Sequence, residues 1–572
     1  MRLMKDCLPA LLLAAAFVSQ VGAQSVAGNM TLTNIQLKGT AILGAAPVPV
    51  YGSVAPPFSK PDHDLVAGRR RTVSNQDAAG STAPAALPAP LPIPNAVSKS
   101  SPSVAFQGLS TVDSANANGF VVTPPDQGLC AGHGFVMEVI NLALVVFNQS
   151  GARLTVPESV NSFYGLDPNT TVLSDPRCYY DAPTQRWFIS MTDVYNSVTT
   201  RSDQVLGVSQ TSDPRGAYYI YSIDVTDDGL GGTPSNPTCP CFGDQPLLGA
   251  DTNGVYISTN EFSLFASGFN GAQIYAVSKS ELESGGPATV VHFFNLPLAE
   301  GIAYSVQPAT SPDLSEEEGS GVEYFASALD FFNLNDNRIG VWALTNTRSL
   351  SSAVPSVSLT NTIVRSEVYG IPPSAPQKAG PYPLGQSLGD PEGLIDSGDD
   401  RMQNAVFASG HLWAGLNTVV SDGKNINAGI SYFDVRPSMS HGVLSATMVG
   451  QNYISVAGNS VMYPGIGVTG DGAAAAAFAV SGASYYPSAA YARLTPAHAS
   501  NVNIVAAGAA PADDFSAYPQ FGGFGVGRWG DYSWGVADGG SIWLATQYIP
   551  GGIDSLTFFN NYSTYLVKIS PE

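Results

Sequence analysis

Short apolar runs separated by polar turns recur along most of this sequence. Each instance has a polar loop ending in Asp, Gln or Tyr, an apolar run, a Gly/Asn/Asp turn and a second apolar run. The stretch "DQPLLGADTNGVYISTNEF" shows all four parts, and its Asn253-Gly254 pair is a hairpin signal because both residue types tolerate positive φ. This pattern predicts antiparallel hairpins rather than helices.

The hairpin pattern starts seven times, roughly 70 residues apart. The starts are Asp126, Asp175, Asp244, Gln307, Asp400, Tyr463 and Gly530. Further alternating runs follow most hairpins, for example "QIYAVSK" and "AGISYFDVRP". Four strands repeated in this way predict an all-β fold, a β-propeller, with seven four-stranded blades favoured and six or eight as alternatives. The segment "STYLVKISPE" is expected to close the ring by pairing with N-terminal strand material.

The beginning of the chain has a different character. Arg2 and Lys5 precede an apolar run, Leu8 to Val18, that is too short to span a membrane, and small residues stand just before Gln24. This order predicts a secretory signal peptide over residues 1–23.

The sequence divides into four segments of different composition. Pro, Ala and Ser dominate residues 51–104, which cannot bury enough apolar surface to order themselves and are therefore predicted to be a disordered linker. The predicted organisation is 1–23 signal peptide, 24–50 N-terminal segment with one or two strands, 51–104 linker and 105–572 propeller.

Composition and charge narrow the classes of partner. Apolar residues make up 44% of the chain, enough for a core, while the formal net charge is −21. Nucleic acids and anionic membranes require a cationic surface, so neither is expected as a partner. We expect a secreted monomer, extracellular or periplasmic, without a membrane span.

The cysteines outside the predicted signal peptide are even in number. An even number in an oxidising compartment predicts two disulfides among Cys130, Cys178, Cys239 and Cys241. Cys239 and Cys241 flank a single proline, so a bond between them would be strained, and we expect each to pair with Cys130 or Cys178, in either order. A zinc site is the alternative, but the C-P-C spacing is not the usual C-x2-C, and we predict no metal centre.

Several motifs are similar to those of a known group of proteins. "TPPDQGLCAGHGFVMEVIN", "SDPRCYYDAPTQRWFIS" and "GRWGDYSWGVADGGSIWLATQY" resemble segments of secreted, mostly bacterial β-propeller proteins of unsettled function, over roughly 105–572. That group is similar in architecture to the sialidase-like propellers. "VADGGSIW" matches the D-x-G-x-x-W core of an Asp-box, with Val536 where Ser or Thr usually opens it. Asp-boxes form turns away from the active site, so this resemblance implies the fold and not the chemistry.

Two standard catalytic signatures do not occur in the sequence. We find no P-loop and no H-E-x-x-H motif, and the six histidines are scattered. The G-x-S-x-G pattern occurs once, in "GQSLG" at residues 385–389, but a proline-rich stretch stands where a nucleophile elbow needs an apolar strand. The absence of a local motif does not exclude glycoside hydrolases or polysaccharide lyases, because their catalytic groups come from loops that are distant in sequence.

Three arginines form the clearest candidate for a binding site. Arg177, Arg401 and Arg528 each stand beside an aspartate at a repeat start. Equivalent loops of a propeller converge on one face, where the three could bind the carboxylate of an acidic sugar. The alternative is that each arginine pairs with its neighbouring aspartate and fixes a loop. Tyr463 and Tyr532 lie near the predicted loops and, if exposed, could stack on sugar rings. The candidate substrate-binding residues are Arg177, Arg401, Arg528, Asp531, Tyr532 and Tyr463.

Candidate catalytic carboxyl groups lie on the predicted strands. Glu138 and Glu261 stand among apolar strand residues, where a glutamate needs a partner. Either could act as general acid or nucleophile near the central channel, or could form a salt bridge with one of the arginines. Asp244, together with Asp126 and Asp531, is a candidate for the same face. Trp187, Trp413 and Trp543 occupy matching strand positions and are expected to pack within the blades.

A cofactor is not required by any of these predictions, although a structural calcium is an alternative in "LGDPEGLIDSGDDR", residues 388–401. We predict a secreted propeller that binds or processes an extracellular glycan, with acidic polysaccharide as a candidate. If it is an enzyme, it is of the glycoside hydrolase or polysaccharide lyase type. The competing hypothesis is a non-catalytic extracellular scaffold that binds protein or cell-wall material.

Overall fold

The structure is a computed structural model. The structure describes residues 24–25, 28–44, 55–59, 87–196, 200–312, 321–330, 333–552 and 562–570. The predicted signal peptide and most of the predicted linker lie outside these residues. Within them, no helix has the length and apolar character needed to cross a membrane.

The strands before residue 124 mostly extend sheets formed later in the chain. They are β1 (Gln24–Ser25), β2 (Asn29–Ile35), β3 (Gly39–Ile42), β4 (Ala55–Ser59), β5 (Val97–Lys99), β6 (Val104–Ser110) and β7 (Phe120–Thr123). Only β4 and β7 pair with each other, in parallel. Helix α1 (Thr111–Asn118) begins at a capping box of Ser110 and Asp113 and ends at Gly119, whose left-handed backbone terminates it.

Antiparallel sheets of four strands then follow one another. The first three contain β8 (Gly128–Gly132), β9 (Phe135–Ile140), β10 (Ala143–Asn148) and β11 (Glu158–Ser159); β12 (Thr171–Asp181), β13 (Arg186–Asn196), β14 (Arg201–Ser209) and β15 (Ala217–Asp224); and β16 (Cys241–Ala250), β17 (Gly254–Ser263), β18 (Phe269–Ser278) and β19 (Ala288–Phe294). Strands β3 and β2 extend the outer edges of the second and third sheets. The short helices α2 (Val160–Tyr164) and α3 (Lys279–Ser284) lie in the connections.

The next two sheets are built in the same way. A small hairpin, β20 (Pro297–Leu298) and β21 (Gly301–Ile302), precedes β22 (Gln307–Thr310), β23 (Val322–Ala328), β24 (Asp336–Thr345) and β25 (Ser358–Tyr369), to which β1 adds an edge. The connection contains β26 (Ala375–Pro376), α4 (Pro383–Leu388) and β27 (Leu394–Ile395). The following sheet has β28 (Met402–Ala408), β29 (His411–Ser421), β30 (Ile426–Ser440) and β31 (Val443–Ile454).

The last two sheets include strands from the early part of the chain. The first has β32 (Asn459–Val468), β33 (Ala474–Gly482), β34 (Tyr485–Leu494) and β35 (Val502–Ala506), with β5 at its edge. Two 3-10 turns, Phe515–Ala517 and Pro519–Phe521, and β36 (Val526–Gly527) follow. The second has β37 (Trp534–Asp538), β38 (Ser541–Tyr548) and β39 (Ser563–Ile569), and β6 supplies its fourth strand.

The first strands of these sheets form a closed ring. Each contacts the first strand of the next sheet, and β37 contacts β8. Strand β22 is hydrogen-bonded in parallel to both neighbours, through Thr310 opposite Ala250 and Ala309 opposite Ala405. Apolar side chains fill the space between adjacent sheets. This is the arrangement of a β-propeller, and each sheet is called a blade here and named by its first strand.

Several predictions about elements agree with the structure. The predicted ring closure is confirmed, because "STYLVKI" forms β39 and pairs with β6. Trp187, Trp413 and Trp543 are buried near the start of the second strand of their blades, which confirms their packing role.

Part of the predicted linker is instead attached to the propeller. Residues 97–99 form β5, and Asn95 Nδ2 donates hydrogen bonds to the carbonyl oxygens of Ala499 (3.2 Å) and Ser500 (3.0 Å). A low apolar content does not prevent a segment from ordering when an open sheet edge offers main-chain partners.

The predicted disulfide pairing is wrong. Cys130 bonds to Cys178, with 5.3 Å between the Cα atoms, because β8 and β12 are adjacent first strands. Cys239 bonds to Cys241 across Pro240, at the start of a different blade.

Candidate functional site

Left-handed backbone recurs just before the first strands or at a β-bulge in their first half, and we call this end of the ring the mouth. Non-glycine residues adopt this conformation at some cost, so its repetition marks positions that the surrounding structure holds in place. The residues are Asp126 (φ 44°), Asp175 (57°), Gln245 (51°), Ser305 (42°) and Tyr463 (59°).

Three asparagines of the preceding blades hold left-handed residues in place. The Oδ1 atoms accept main-chain N–H groups, Asn141 from Asp175 (3.0 Å), Asn260 from Ser305 (2.8 Å) and Asn417 from Tyr463 (2.5 Å). All three asparagines are buried. Sequence reasoning missed them, although each ends the second apolar run of its repeat, in "MEVIN", "ISTN" and "AGLN".

Three carboxylates converge at the mouth, and we call Asp126, Asp175 and Asp531 the mouth cluster. One carboxylate oxygen from each lies within 4.8 Å of the others. Asp126 accepts from the main-chain N–H of Asp531 (2.7 Å) and from Asn141 Nδ2 (2.7 Å). Asp126 and Asp175 are fully buried, whereas the Asp531 side chain is 21% exposed. These oxygens are of the type that Ca²⁺ prefers, so the cluster could hold a cation.

Two of the predicted arginines lie beside the mouth cluster. Arg177 is fully buried, and its guanidinium carbon lies 3.5 Å from the centroid of the Tyr532 ring. Its Nη1 donates to the carbonyl oxygen of Pro176 (3.1 Å), while Nε and Nη2 find no hydrogen-bond acceptor among the described residues. Arg528 Nη2 donates to Asp531 Oδ2 (3.0 Å).

The third predicted arginine is held elsewhere at the mouth. Arg401 donates to both carboxylate oxygens of Asp399, at 2.7 Å each, and to Gln245 Oε1 (2.6 Å). Arg401 and Arg528 therefore follow the alternative, pairing with a carboxylate close by in sequence. The partner of Arg401 at these distances is Asp399, not the Asp400 named from the repeat.

The predicted tyrosines are not available for stacking on a sugar. Tyr463 and Tyr532 are each 2% exposed, and the Arg177 guanidinium covers one face of the Tyr532 ring. Their positions at repeat starts suggested exposed loops, but both side chains point into the packed mouth. Asp244 is half-buried in β16, in register with Asn260 and next to Gln245.

Glu138 lies away from the mouth cluster. It is buried in β9 and Oε2 accepts the main-chain N–H of Leu109 (2.8 Å), at the end of β6. Burial raises the pKa of Glu138 to about 7. No salt bridge joins it to Arg177, Arg401 or Arg528 among the described residues.

Glu261 belongs to a second site, built around the Cys239–Cys241 disulfide. It accepts hydrogen bonds from Asn236 Nδ2 (2.9 Å) and Asn270 Nδ2 (2.6 Å), and its Oε1 lies 3.2 Å from Cys239 Sγ. Burial raises the pKa of Glu261 and of its neighbour Asp227.

Two further regions of the ring differ from these sites. The carboxylates of 388–401, all within the described residues, do not gather into a group of three at ligand distances, so the calcium alternative has no cluster there. At the end of the ring opposite the mouth, a cavity of about 280 Å³ is lined mainly by apolar residues, including Tyr179, Val406 and Trp534.

Comparisons with known proteins give only distant similarities. No protein-family model and no curated protein matches the sequence. Among solved structures, the α-L-arabinofuranosidase PaAbf62A from Podospora anserina is 8% identical, with 84% of this chain and 99% of that chain covered and a TM-score of 0.30. The endosialidase of phage phi92 is 10% identical (82% and 69% covered, TM-score 0.33). Drosophila Semaphorin 1b is 10% identical (67% and 86% covered, TM-score 0.25). At these scores the similarities carry no argument about function.

Proposed function

We propose that this chain is a seven-bladed β-propeller that is secreted and binds an extracellular glycan at the mouth of its ring. The blade count rests on the cycle of first strands, in which β8, β12, β16, β22, β28, β32 and β37 contact one another in order and β37 returns to β8. Secretion rests on the signal-like sequence of residues 1–23.

The mouth cluster is the observation that carries the proposal. Sugar hydroxyls pair well with carboxylates and arginine side chains, because each hydroxyl both donates and accepts a hydrogen bond. Here Asp126, Asp175 and Asp531 converge beside Arg177 and Arg528. Asp531 is the exposed member, so a ligand would reach the cluster through its side chain.

A neutral glycan fits this site better than the acidic polysaccharide considered from sequence. Arg401 is engaged by both oxygens of Asp399, and Arg528 by Asp531. The neighbouring aspartates therefore largely neutralise the positive charge of these two arginines when no ligand is bound. Arg177 is fully buried, which keeps its guanidinium from direct contact with a ligand outside the mouth.

Cleavage of the glycan is the second candidate, and the mouth cluster gives it little support. Retaining glycosidases use two carboxyl groups about 5 to 5.5 Å apart, and both must reach the sugar. In the mouth cluster only Asp531 is exposed, whereas Asp126 and Asp175 are fully buried. Glu138 and Glu261, which the sequence suggested, are also buried and do not belong to this cluster.

The test is a binding and turnover screen of the purified chain. Neutral and acidic polysaccharides are measured by calorimetry, with reducing-end release and unsaturated products followed in parallel. We expect a neutral glycan to bind and Asp531→Asn to weaken binding at least tenfold.

Asp213→Asn is the matched control, because Asp213 also pairs with a nearby arginine, Arg215, but in a turn at the opposite end of the strands. It should leave binding unchanged. Binding without turnover would remove the enzyme alternative. No binding to any glycan, or binding that Asp531→Asn does not affect, would overturn the proposal in favour of the protein-binding or cell-wall-binding scaffold.

A further inference from the structure

The Cys239–Cys241 disulfide is accessible and locally closed. Cys239 is half-exposed and follows two exposed residues, Pro237 and Thr238, while Cys241 is buried. Only Pro240 separates the two cysteines, so opening the bond removes no link between distant parts of the chain.

A carboxyl group and an amide lie against the two sulfur atoms. The Glu261 carboxyl and both sulfurs are within 4.8 Å of one another, and Cys239 Sγ is 3.2 Å from Oε1. Asn270 Nδ2 lies 3.6 Å from Cys239 Sγ and 3.7 Å from Cys241 Sγ. An N–H donor at this position stabilises a thiolate, and a protonated carboxyl can neutralise one.

The neighbouring carboxyls keep a proton available. Asp227 and Glu261 are both buried and share hydrogen bonds with Asn236. Burial raises the pKa of both carboxyls, and their proximity raises the pKa of Asp227 further while lowering that of Glu261. The pair therefore retains a proton at neutral pH, and Glu261 is the member close enough to the sulfurs to pass it on. Asp224 and Asp228 add negative charge nearby and raise the Asp227 pKa further. His292 lies 3.8 Å from Asp227 but burial lowers its pKa to about 3, so it supplies no positive charge.

We propose that Cys239–Cys241 is a thiol–disulfide exchange site of the folded protein, in which Glu261 protonates the sulfur that leaves. The co-reactant is a dithiol. Its thiolate attacks Cys239 Sγ, the Cys239–Cys241 bond breaks, and the electron pair goes to Cys241 Sγ, which takes the proton. The second thiolate of the reductant then attacks the mixed disulfide and releases Cys239, which is protonated from solvent. One dithiol is oxidised to a disulfide and the protein gains two thiols.

The other disulfide provides an internal comparison. Cys130 and Cys178 are 1% and 2% exposed, and their bond joins the first strands of adjacent blades. Both cysteines line the cavity opposite the mouth, but almost none of their surface is exposed, so this bond is expected to be reduced more slowly than Cys239–Cys241 while the protein is folded.

The test measures both disulfides in the same sample. The full mature protein is incubated with dithiothreitol at pH 7, quenched and alkylated at intervals, and the cysteine peptides are quantified by mass spectrometry while near-UV circular dichroism reports the fold. We expect Cys239 and Cys241 to be labelled at least tenfold faster than Cys130 and Cys178, with the fold unchanged. Resistance of Cys239–Cys241 until the protein unfolds, or simultaneous opening of both disulfides, would overturn the proposal.

The role of Glu261 is tested by substitution. Glu261→Gln should slow reduction at pH 7 at least fivefold and lower the reduced fraction at equilibrium in a thiol buffer. Glu367→Gln, at an exposed position on β25, is the matched control and should change neither. If Glu261→Gln does not fold, Asn270→Ala, which removes the N–H donor to both sulfurs, should also slow reduction. Unchanged rates in the folded variants would reject the assigned proton donor.

Discussion

Single residues at the mouth adopt backbone conformations that their side chains do not favour. A left-handed non-glycine residue costs roughly 1 to 2 kcal/mol. A buried hydrogen bond from the main-chain N–H to an asparagine Oδ1 stabilises the fold by about 1 kcal/mol, and it pairs an N–H that burial would otherwise leave unsatisfied. Asn141, Asn260 and Asn417 therefore link three of the five left-handed residues to the blade before them.

The raised pKa of Glu138 predicts that the free energy of unfolding depends on pH through this one residue. Its pKa is about 7 in the folded protein and near 4.5 in the unfolded chain, so the folded state binds more protons between these values. The free energy of unfolding should fall as pH rises from about 4.5 to about 7, by up to about 3 kcal/mol from this group. In Glu138→Gln this contribution is absent, so the variant should gain stability relative to wild type as pH rises, with the difference constant above about pH 7.

Urea unfolding of wild type and Glu138→Gln at pH 5 and pH 8 measures this difference. Other buried carboxyls titrate equally in both proteins and cancel. Glu367→Gln, on the surface, should show the same difference at both pH values. A Glu138→Gln difference that does not change with pH would contradict a raised pKa at this site.

The sequence indicated some of these residues and not others. Asp126, Asp175 and Asp531 stand at or near repeat starts, and the topology that the repeats predict brings such positions together. Burial was not predictable, because a tyrosine at a repeat start can point outward or inward with the same local sequence. Glu261 was recognised as an unusual strand residue, but its neighbour Asn236 comes from a loop and Asn270 from a β-bulge in β18, and no local pattern specifies either position.

At the scale of elements, glycines determine how closely the first strands approach. A Cβ atom at Gly535 would lie 2.4 Å from the main-chain nitrogen of Gly467 on β32, and one at Gly465 would lie 2.3 Å from the nitrogen of Trp534 on β37. The two strands therefore meet main chain to main chain, which only glycine permits.

Gly535→Ala is expected to destabilise the protein by about 3 kcal/mol, because the added methyl group must push β32 and β37 apart. Gly540→Ala is the control: no atom lies within 4 Å of its Cβ position and its φ is not left-handed, so the change should stay within about 0.5 kcal/mol. Thermal unfolding of both variants checks the prediction. Equal stability of the two would show that the first strands tolerate separation.

Hairpins within blades were predictable because their partners are adjacent in sequence and their turns have distinct residue preferences. The pairing of the edge strands was not predictable, although the one or two strands expected in residues 24–50 are present as β2 and β3. Strand β2 pairs with β19 and β5 pairs with β35, partners that are hundreds of residues away. Short polar strands of this kind have no alternation strong enough to indicate a partner, so part of their region was assigned to a linker.

At the scale of the whole molecule, one blade combines both ends of the propeller. Strands β37, β38 and β39 come from residues after 533, while β6 comes from residues 104–110. Hydrogen bonds between β39 and β6 therefore close the ring. The sequence predicted this pairing once the repeats had indicated a propeller.

Ending the chain after Gly552 removes β39 and should abolish cooperative unfolding, because β38 and β6 lose their shared partner and expose open edges. Urea unfolding followed by two spectroscopic probes, with sedimentation to detect aggregation, checks this expectation. Removal of residues 571–572 alone is the control and should leave the transition unchanged. Coincident, cooperative transitions in the longer deletion would contradict the closure role of β39.

The shared blade also has a consequence for biosynthesis. Because β6 must wait for β39, the native topology is unattainable on the ribosome until residue 569 has been translated. Blades whose strands are adjacent in the chain can form their hairpins earlier, so closure of the ring is the last step that synthesis makes possible.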